Sequence, residues 1–367
     1  MKLKSKYIKV AGTNYEVGKA MGEICKASPQ FLELSQIKDD IYTKEEMKVV
    51  RTLFDKYCQG INEEIEGCSE ATGIASNRAL YYAMTYLKPG CSIAALLSSK
   101  TECKKTLMLR NYEFSPKYEP MELCHTSVNG KYKHLGASIL SFGREDGINE
   151  HGLVVAQSST GIPVSNTIGR KPAITGLQFW AVIRTLLENC KNVDEAIALS
   201  NEMPIAYNIN LMLADANDYI ALLETFDGNK ANIKLNERSE KNYLHSTNHI
   251  HFEELKHLSP LSMKNSVVRY DQIAKFLDSK SKISVDDLKY LSSAKYPEGL
   301  CCNYYEEIFG TLRAMIFDPK EKSVEVCFGS PSLNKWRRFE IDSDLGYTEF
   351  EVEIVDEKSP VDFYEWV

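Results

Sequence analysis

Apolar residues recur at helical spacing along much of the N-terminal part of the chain. Between Lys44 and Gly67 they lie three or four residues apart, the period of one buried helix face. These positions are Met47, Val50, Leu53, Phe54, Tyr57, Ile61 and Ile65. An earlier segment carries the small residues Gly18 and Gly22 on one helical face. The pattern therefore predicts that residues 13–83 are mainly helical.

The pattern changes at Lys88-Pro89-Gly90, where a proline and a glycine interrupt the helical spacing. Beyond them, two short strand patterns flank a polar turn at 98–105, which predicts a hairpin that begins at Cys91. Later strand patterns cover 138–142, 153–159, 210–213, 219–224, 311–317, 323–328 and 348–354, and helical patterns cover 175–190, 193–202, 263–278 and 285–293. This order predicts α+β layers in one structural domain.

Composition narrows the classes of function. The chain has 367 residues, 43% of them hydrophobic, and a net charge of −7, which is typical of a globular protein and unfavourable for binding nucleic acid or an anionic membrane. No apolar run is long enough to span a bilayer. Residues 7–12 alternate like a strand, and Lys9 interrupts the apolar core that a secretory signal requires. We therefore expect a cytoplasmic protein.

Ten cysteines are spread along the chain without a CxxC pair. Without an export signal, free thiols are favoured over a disulfide framework. We expect most of them to be small core residues.

Cys91 is the exception because of what precedes it. A cysteine that opens a strand after Pro89-Gly90 can attack the Gly90 carbonyl and transfer the acyl group from nitrogen to sulfur. Hydrolysis of the resulting thioester would leave Cys91 as a new chain end. Its α-amine, with a pKa near 8, can then act as the general base for its own thiol. A buried strand cysteine is the simpler interpretation of this tripeptide alone.

Downstream segments favour the catalytic interpretation. The second hairpin strand ends in Arg110-Asn111-Tyr112-Glu113-Phe114. Further segments follow in order: Gly147-Ile148-Asn149-Glu150-His151-Gly152-Leu153, Asn210-Leu211-Met212-Leu213-Ala214-Asp215, Thr247-Asn248-His249, Ser266-Val267-Val268-Arg269 and Gly329-Ser330-Pro331. Together they resemble the N-terminal-nucleophile (Ntn) hydrolases of the choloylglycine hydrolase and penicillin acyltransferase type. These enzymes act on linear amides and begin their mature chain with cysteine.

The resemblance implies the fold and the division of the chain. The fold would be the four-layer αββα sandwich of Ntn hydrolases. Residues 1–90 would form a helical leader, released or nicked by self-cleavage, and residues 91–367 would form the catalytic segment. Together they would make one structural domain.

The resemblance also implies roles for residues of the hairpin. Cys91 would be the nucleophile, and Arg110 would lie near its thiol and lower the thiol pKa. Glu113 takes the position of a family aspartate that orients the α-amine. This is a departure from the family pattern, because glutamate is one methylene longer.

Three further residues receive roles in the same way. Asn210 would donate its side-chain amide to the developing oxyanion, and a backbone N–H near Ser159 would be the second donor. Arg269 would stabilise the transition state or the region of the α-amine.

The reaction implied is thioester formation on Cys91, followed by release of the acid to water or transfer of the acyl group to an amine. No metal or organic cofactor is required. The expected partners are a small-molecule N-acyl amide and, for transfer, an acceptor amine or acyl-CoA; oligomerisation of cleaved chains stays open. The acyl group is not readable. Aromatic residues could line an apolar acyl pocket, but at such places they are more often core residues. These are Tyr112, Phe114, Phe142, Phe179 and Trp180.

Two alternatives stay open. His245, His249 and His251 would share one face of a strand and could form the zinc triad of a metal hydrolase. A non-catalytic homologue that keeps residues 1–90 attached would instead bind an acylated small molecule or another protein.

Overall fold

The computed structural model describes residues 1–27, 43–77, 90–139, 142–161, 172–343 and 345–367. The helices are α1 (Asn14–Cys25), α2 (Lys44–Tyr57), α3 (Ile61–Thr72), α4 (Phe179–Asn189), α5 (Val193–Glu202), α6 (Glu253–Lys256), α7 (Lys264–Asp278) and α8 (Val285–Ser293). The strands are β1 (Lys2–Gly12), β2 (Gly90–Leu96), β3 (Leu107–Phe114), β4 (Glu122–Val128), β5 (His134–Ile139), β6 (Gly143–Arg144), β7 (Asp146–Asn149), β8 (Val154–Ser159), β9 (Ile209–Ala214), β10 (Ile220–Phe226), β11 (Asn229–Leu235), β12 (Tyr243–Ser246), β13 (Asn303–Tyr304), β14 (Phe309–Asp318), β15 (Ser323–Phe328), β16 (Trp336–Glu340) and β17 (Thr348–Glu353).

Within these ranges the strands form two sheets. The first sheet has ten strands in the order β11-β10-β9-β8-β7-β5-β4-β1-β17, with β6 paired to β5. The second has seven strands in the order β12-β2-β3-β14-β15-β16, with β13 paired to β14. The hairpin predicted to begin at Cys91 is present as β2 and β3 in the second sheet.

The two sheets face each other across a shared core. Cys91 and Ile93 of β2 pack in one cluster with Leu135, Ala156 and Met212 of the first sheet. These residues point inward because side chains alternate between the two faces of a strand. The nucleophile predicted from the sequence therefore lies between the sheets.

Helices cover both outer faces. Helices α2, α3, α4 and α5 pack on β8, β9 and β10 of the first sheet. Helices α7 and α8 pack on β2, β3 and β14 of the second sheet. The layer order is αββα, as predicted.

The predicted helical leader begins with a strand, which includes the segment 7–12 whose alternation predicts a strand. Lys2–Gly12 forms β1, which lies inside the first sheet, parallel to β4 and antiparallel to β17. The alternation of buried and exposed positions along this segment is that of a strand. The end of the predicted helical stretch, residues 78–83, lies outside the described residues, as does Pro89.

Two further expectations can be compared with the fold. All ten cysteines are free, and nine of them are buried, as predicted; Cys103 is exposed. In the described ranges, no helix combines the length and apolar character needed to cross a membrane.

Candidate active site

The β2–β3 hairpin brings the predicted nucleophile and its charged neighbours together. In the antiparallel register, Gly90 lies opposite Glu113, Cys91 opposite Tyr112, and Ile93 opposite Arg110. Directly opposed residues of an antiparallel pair have side chains on the same face. Cys91 and Arg110 are both fully buried. The hairpin therefore places one guanidinium beside one thiol in the space between the sheets.

Arg110 contacts the thiol through one nitrogen. Its Nη2 atom is 3.4 Å from Cys91 Sγ and donates to Glu145 Oε2 at 2.8 Å. Its Nη1 atom donates to the backbone oxygen of Glu145 at 3.0 Å and pairs with Asp146. The predicted contact between Arg110 and Cys91 is thus present, together with two carboxylates that the sequence did not reveal.

Burial dominates the acidity of the thiol in the intact chain. Desolvation raises the pKa of Cys91 to about 12, because a thiolate loses its hydration between the sheets. The charge of Arg110 opposes this rise, whereas Glu145 and Glu113 add to it. At neutral pH the buried side chain is therefore a thiol, and a nucleophilic thiolate requires a base close to it.

The backbone of Cys91 is held on both sides. Its N–H donates to Asn248 Oδ1 at 3.0 Å, and its carbonyl accepts from Arg269 Nη1 at 2.6 Å. Arg269 also donates through Nη1 to Ser92 Oγ at 2.8 Å and through Nη2 to Asn248 Oδ1 at 2.9 Å. Arg269, fully buried on α7, therefore fixes the start of β2 rather than facing solvent.

Glu113 lies beside the Gly90–Cys91 peptide on the neighbouring strand. Its Oε1 atom accepts from Thr311 Oγ1 at 3.4 Å, and its Oε2 atom is 4.0 Å from Arg269 Nη1. Oε2 has no hydrogen-bond partner within the described part of the chain. Burial raises the pKa of Glu113 to about 7, with Arg269 and Arg110 opposing the rise. This carboxyl group can take up or release a proton near neutral pH.

The structure places Asn210 differently from the expected oxyanion donor. Its Nδ2 atom donates to the backbone oxygens of Thr247 at 2.9 Å and His249 at 3.1 Å. Both amide hydrogens are engaged in this conformation, so neither is available to an oxyanion. The oxyanion-donor role of Asn210 stays a prediction that requires these bonds to be exchanged.

Ser159 is connected to the nucleophile through Asn248. The Nδ2 atom of Asn248 donates to the backbone oxygen of Ser159 at 3.0 Å and to its Oγ atom at 3.2 Å. The same side chain accepts from the N–H of Cys91 through Oδ1. A donor role for the N–H near Ser159 stays a prediction, whereas the side-chain amide of Asn248 contacts Cys91.

Sequence reasoning therefore missed Asn248, Glu145 and Asp146. Asn248 was visible in the Thr247-Asn248-His249 segment but received no role there. Glu145 and Asp146 precede the Gly147–Leu153 segment and carry no local signal. These carboxylates reach Arg110 only because the first sheet packs face to face with the second.

The three histidines are not arranged as a zinc site would require, with their ring nitrogens directed at one point. The rings of His245 and His251 stack on Tyr270, with centroids 3.9 and 4.6 Å away. The His249 ring packs edge-on against the same tyrosine at 5.3 Å. Across the described ranges, no group of three His, Cys, Asp or Glu side chains could hold a metal ion. The three imidazoles surround an aromatic ring instead of converging on a common point.

The aromatic residues expected around the acyl group separate into two regions. Tyr112 and Phe114 pack in the same inter-sheet cluster as Cys91. Phe142, Phe179 and Trp180 instead belong to the core between the first sheet and its helices. These three are therefore core residues, and they lie on the face of that sheet opposite to Cys91.

The solved structures to which this chain is similar include three remote likenesses. A mutant of conjugated bile acid hydrolase from Clostridium perfringens has a TM-score of 0.47 and 13% identity, covering 73% of this chain and 99% of that one. Penicillin V acylase from Agrobacterium tumefaciens has a TM-score of 0.43 and 16% identity, with coverages of 71% and 90%. The N-acylethanolamine-hydrolyzing acid amidase ortholog of Caenorhabditis elegans has a TM-score of 0.41 and 13% identity, with coverages of 63% and 93%.

Sequence comparison gives the family. No curated protein matches the chain significantly. The family model described as acyl-coenzyme A:6-aminopenicillanic acid acyl-transferase matches residues 99–333, well over half of the chain. The match contains Arg110, Glu113 and Arg269 and begins eight residues after Cys91. The chain is therefore an enzyme that belongs to the acyl-coenzyme A:6-aminopenicillanic acid acyl-transferase family.

Proposed function

We propose that this protein is a cysteine Ntn amidohydrolase or acyltransferase, with Cys91 as its nucleophile and self-cleavage at Gly90-Cys91 as its activation step. The main support is the surroundings of Cys91 at the start of β2. Its Sγ atom contacts Arg110, its N–H is bound by Asn248, and its carbonyl is bound by Arg269. A cysteine that served only as core packing would not need three polar groups directed at its thiol and backbone.

Self-cleavage would begin with attack of Cys91 Sγ on the carbonyl carbon of Gly90. The tetrahedral intermediate then breaks its C–N bond, the nitrogen of Cys91 takes the proton that left the thiol, and Gly90 becomes a thioester on Sγ. Water hydrolyses this thioester to the Gly90 carboxylate and the free thiol. We assign the proton transfer to Glu113, because this residue lies opposite Gly90 in the strand register and burial raises its pKa to about 7.

In the mature enzyme, the new α-amine of Cys91 would take the thiol proton, and the thiolate would attack the substrate amide. Collapse of the tetrahedral intermediate releases the amine, which leaves with a proton, and the acyl group stays on Sγ as a thioester. Asn248 Oδ1 is positioned to accept from the α-amine, as it does from the peptide N–H of the intact chain. Arg110 supplies positive charge at the thiolate.

The substrate class is a linear N-acyl amide of a small molecule. Water as acyl acceptor gives hydrolysis, and an amine as acceptor gives acyl transfer. We favour hydrolysis because water requires no second binding site, whereas family membership keeps acyl-CoA as donor and an amine as acceptor in the set to be tested. The ten unbridged thiols support a reducing compartment such as the cytoplasm.

Intact-mass spectrometry of freshly purified protein under denaturing conditions tests the proposal. We expect two species, the larger of which begins at Cys91, and a single species at full mass for Cys91→Ala. The cleaved protein is then screened against amides with apolar, aromatic and steroid acyl groups. A wild-type chain that stays at full mass under reducing conditions from pH 5 to 8 would contradict self-cleavage and favour an uncleaved ligand-binding protein.

A further inference from the structure

Two consecutive acidic residues hold the guanidinium that faces the nucleophile. Arginine carries five N–H donors. Two of them, on Nη1, are engaged by the backbone oxygen of Glu145 and by Asp146. The two on Nη2 are engaged by Glu145 Oε2 and Cys91 Sγ. The fifth, on Nε, has no partner within the described residues.

The acidic residues are themselves fixed to the first sheet. Asp146 opens β7, and its Oδ1 atom accepts from the N–H of Ala137 at 3.1 Å. Glu145 Oε2 also accepts from Gln157 Nε2 at 2.7 Å. Both carboxylates are fully buried. Arg110 belongs to the second sheet, so this contact connects the two sheets at the thiol.

We propose that Glu145 is a positioning residue that acts through Arg110. By occupying one hydrogen of Nη2, Glu145 directs the other hydrogen toward Cys91 Sγ. The proposal rests on the proposed function only for the assignment of Cys91 as the nucleophile. It adds a residue that touches neither the substrate nor the reacting bond.

The geometry of the guanidinium supports this role. The group is planar, so the two N–H bonds of Nη2 point in fixed directions about 120° apart. Once Glu145 and Asp146 fix the edge formed by Nη1 and Nη2, the remaining Nη2 hydrogen can point only toward the thiol. Without the acceptor at position 145, Arg110 keeps its charge but loses this orientation.

Two variants separate this orientation from the charge of Glu145. Glu145→Gln keeps an acceptor oxygen and removes the negative charge, whereas Glu145→Met removes both in a side chain of similar length. The thiol senses three charged groups, Arg110, Glu145 and Glu113. Both variants change that set by the same charge, so a difference between them reports the hydrogen bond alone.

The first measurement is a crystal structure of each variant. We expect Arg110 Nη2 to stay within hydrogen-bond distance of Cys91 Sγ in Glu145→Gln and to leave it in Glu145→Met. If the contact is equal in both, the proposal is wrong, whether or not the protein cleaves itself. A wild-type chain that does not self-cleave refutes the proposed function. The two variant structures would still test whether Glu145 orients Arg110.

The second measurement is the pH dependence of the self-cleavage rate. The acidic limb is the pH range in which the rate rises with pH. In Glu145→Gln we expect this limb at the same pH as in the wild-type protein or at a lower pH. In Glu145→Met we expect it about one pH unit higher than in Glu145→Gln. That difference corresponds to about tenfold in rate on the limb. A residue that only supports the fold would change the rate without moving the limb.

The action through Arg110 is tested by repeating the pair in an Arg110→Lys background. Lysine keeps the charge but lacks the planar fork, so we expect the difference between the Glu145→Gln and Glu145→Met proteins to disappear. A difference that persists would show that Glu145 acts by another route. If Glu145→Met does not fold, Glu145→Asp replaces it: the charge is unchanged, the carboxylate is withdrawn by one methylene, and the same loss of contact is expected.

Discussion

The predicted leader and the hairpin that begins the predicted catalytic segment are held in the fold by different kinds of contact. Residues 1–77 are attached through backbone pairing, because β1 lies between β4 and β17, and through close packing of α1 on α3. The hairpin that begins at Gly90 is held at Cys91 by buried side chains, chiefly Arg110, Arg269 and Asn248. Cutting Gly90-Cys91 therefore removes one covalent bond and none of the leader's contacts with the first sheet.

This difference suggests that the leader is a structural part of the enzyme. A strand inside a sheet contributes backbone hydrogen bonds on both edges, and its loss would expose two unpaired strand edges. In α3, Glu64 is buried and bound by Arg184 of α4 at 2.6 Å, which extends the attachment to the outer helical layer. We therefore expect a nicked protein whose two chains stay associated, rather than a released leader.

The largest expected effect is the loss of the nucleophile. Cys91→Ala should abolish both self-cleavage and turnover, because no other group in the proposed mechanism can form the thioester. Cys91→Ser should cleave slowly and lose most amidase activity, since a hydroxyl is far less acidic than a thiol. The measurement is intact mass combined with amide turnover. Cys124→Ala is the control, because Cys124 is also fully buried but packs in a separate cluster with Ile8 and Val17. Normal processing of Cys91→Ala would refute the assignment.

The second effect concerns the attachment of the leader. A Cβ at Gly18 of α1 would overlap the backbone of Glu64 in α3. Gly18→Val should therefore lower the free energy of unfolding by about 3 kcal/mol, at the upper end of overpacking effects. After cleavage it should also weaken retention of the leader in native mass spectrometry.

Gly346→Val is the matched control for this substitution. A Cβ at Gly346 meets nothing within 4 Å, and its φ is not in the left-handed region. We expect unchanged stability and full retention of the leader. If the cleaved wild-type protein lost its leader under native conditions, the conclusion that contacts with the first sheet hold the leader in place would be wrong.

The third prediction concerns Glu113 and has opposite signs for stability and activity. Its pKa is raised from 4.5 to about 7 in the folded protein, so the native state binds the proton more tightly than the unfolded state. Wild-type stability should therefore decrease as pH rises from about 4.5 to 7, by about 3 kcal/mol from this group. Glu113→Gln removes this pH dependence together with the proposed proton carrier.

We therefore expect Glu113→Gln to gain stability relative to wild type as pH increases from 5 to 8, and to lose self-cleavage or turnover. Urea unfolding at each pH measures the first quantity and intact mass the second. Glu119→Gln is the control, because Glu119 is buried with a pKa also raised to about 7 but contacts Tyr112 and Arg313. Wild-type processing in Glu113→Gln would remove this carboxyl group from the site.

The sequence predicted the features that depend on local pattern. The hairpin at Cys91 and the position of Arg110 beside it follow from alternation and from one turn, whereas the αββα order was implied by the family resemblance. Features that depend on pairing between distant segments were missed. Glu145 reaches Arg110 only because two sheets face each other, and nothing in its neighbours along the chain indicates this.

Two possibilities that the sequence left open were decided by the tertiary fold. Phe179 and Trp180 form an apolar stretch that is compatible with a pocket lining, but they pack on the outer face of the first sheet. The three histidines share spacing with a metal triad, yet Tyr270 of α7 lies among them. The spacing of apolar or imidazole side chains along the chain is compatible with several packing partners. Only the tertiary fold determines which partner each side chain contacts.

The smallest expected effect is at the junction between β1 and α1 in the leader. Thr13 caps α1 directly after β1: its Oγ1 accepts from the N–H of Glu16, whose carboxylate accepts from the N–H of Thr13. Thr13→Ala should lower the free energy of unfolding by about 1 kcal/mol. Thr52→Ala, within α2, removes only an exposed hydroxyl bound to the backbone oxygen of Lys48 and should be close to neutral. Urea unfolding measures the free energy of unfolding of both variants. Equal losses in the two variants would show that the cap does not fix how α1 leaves the sheet. A loss confined to Thr13→Ala, with self-cleavage at the wild-type rate, would show that the leader contributes to stability and not to the chemistry.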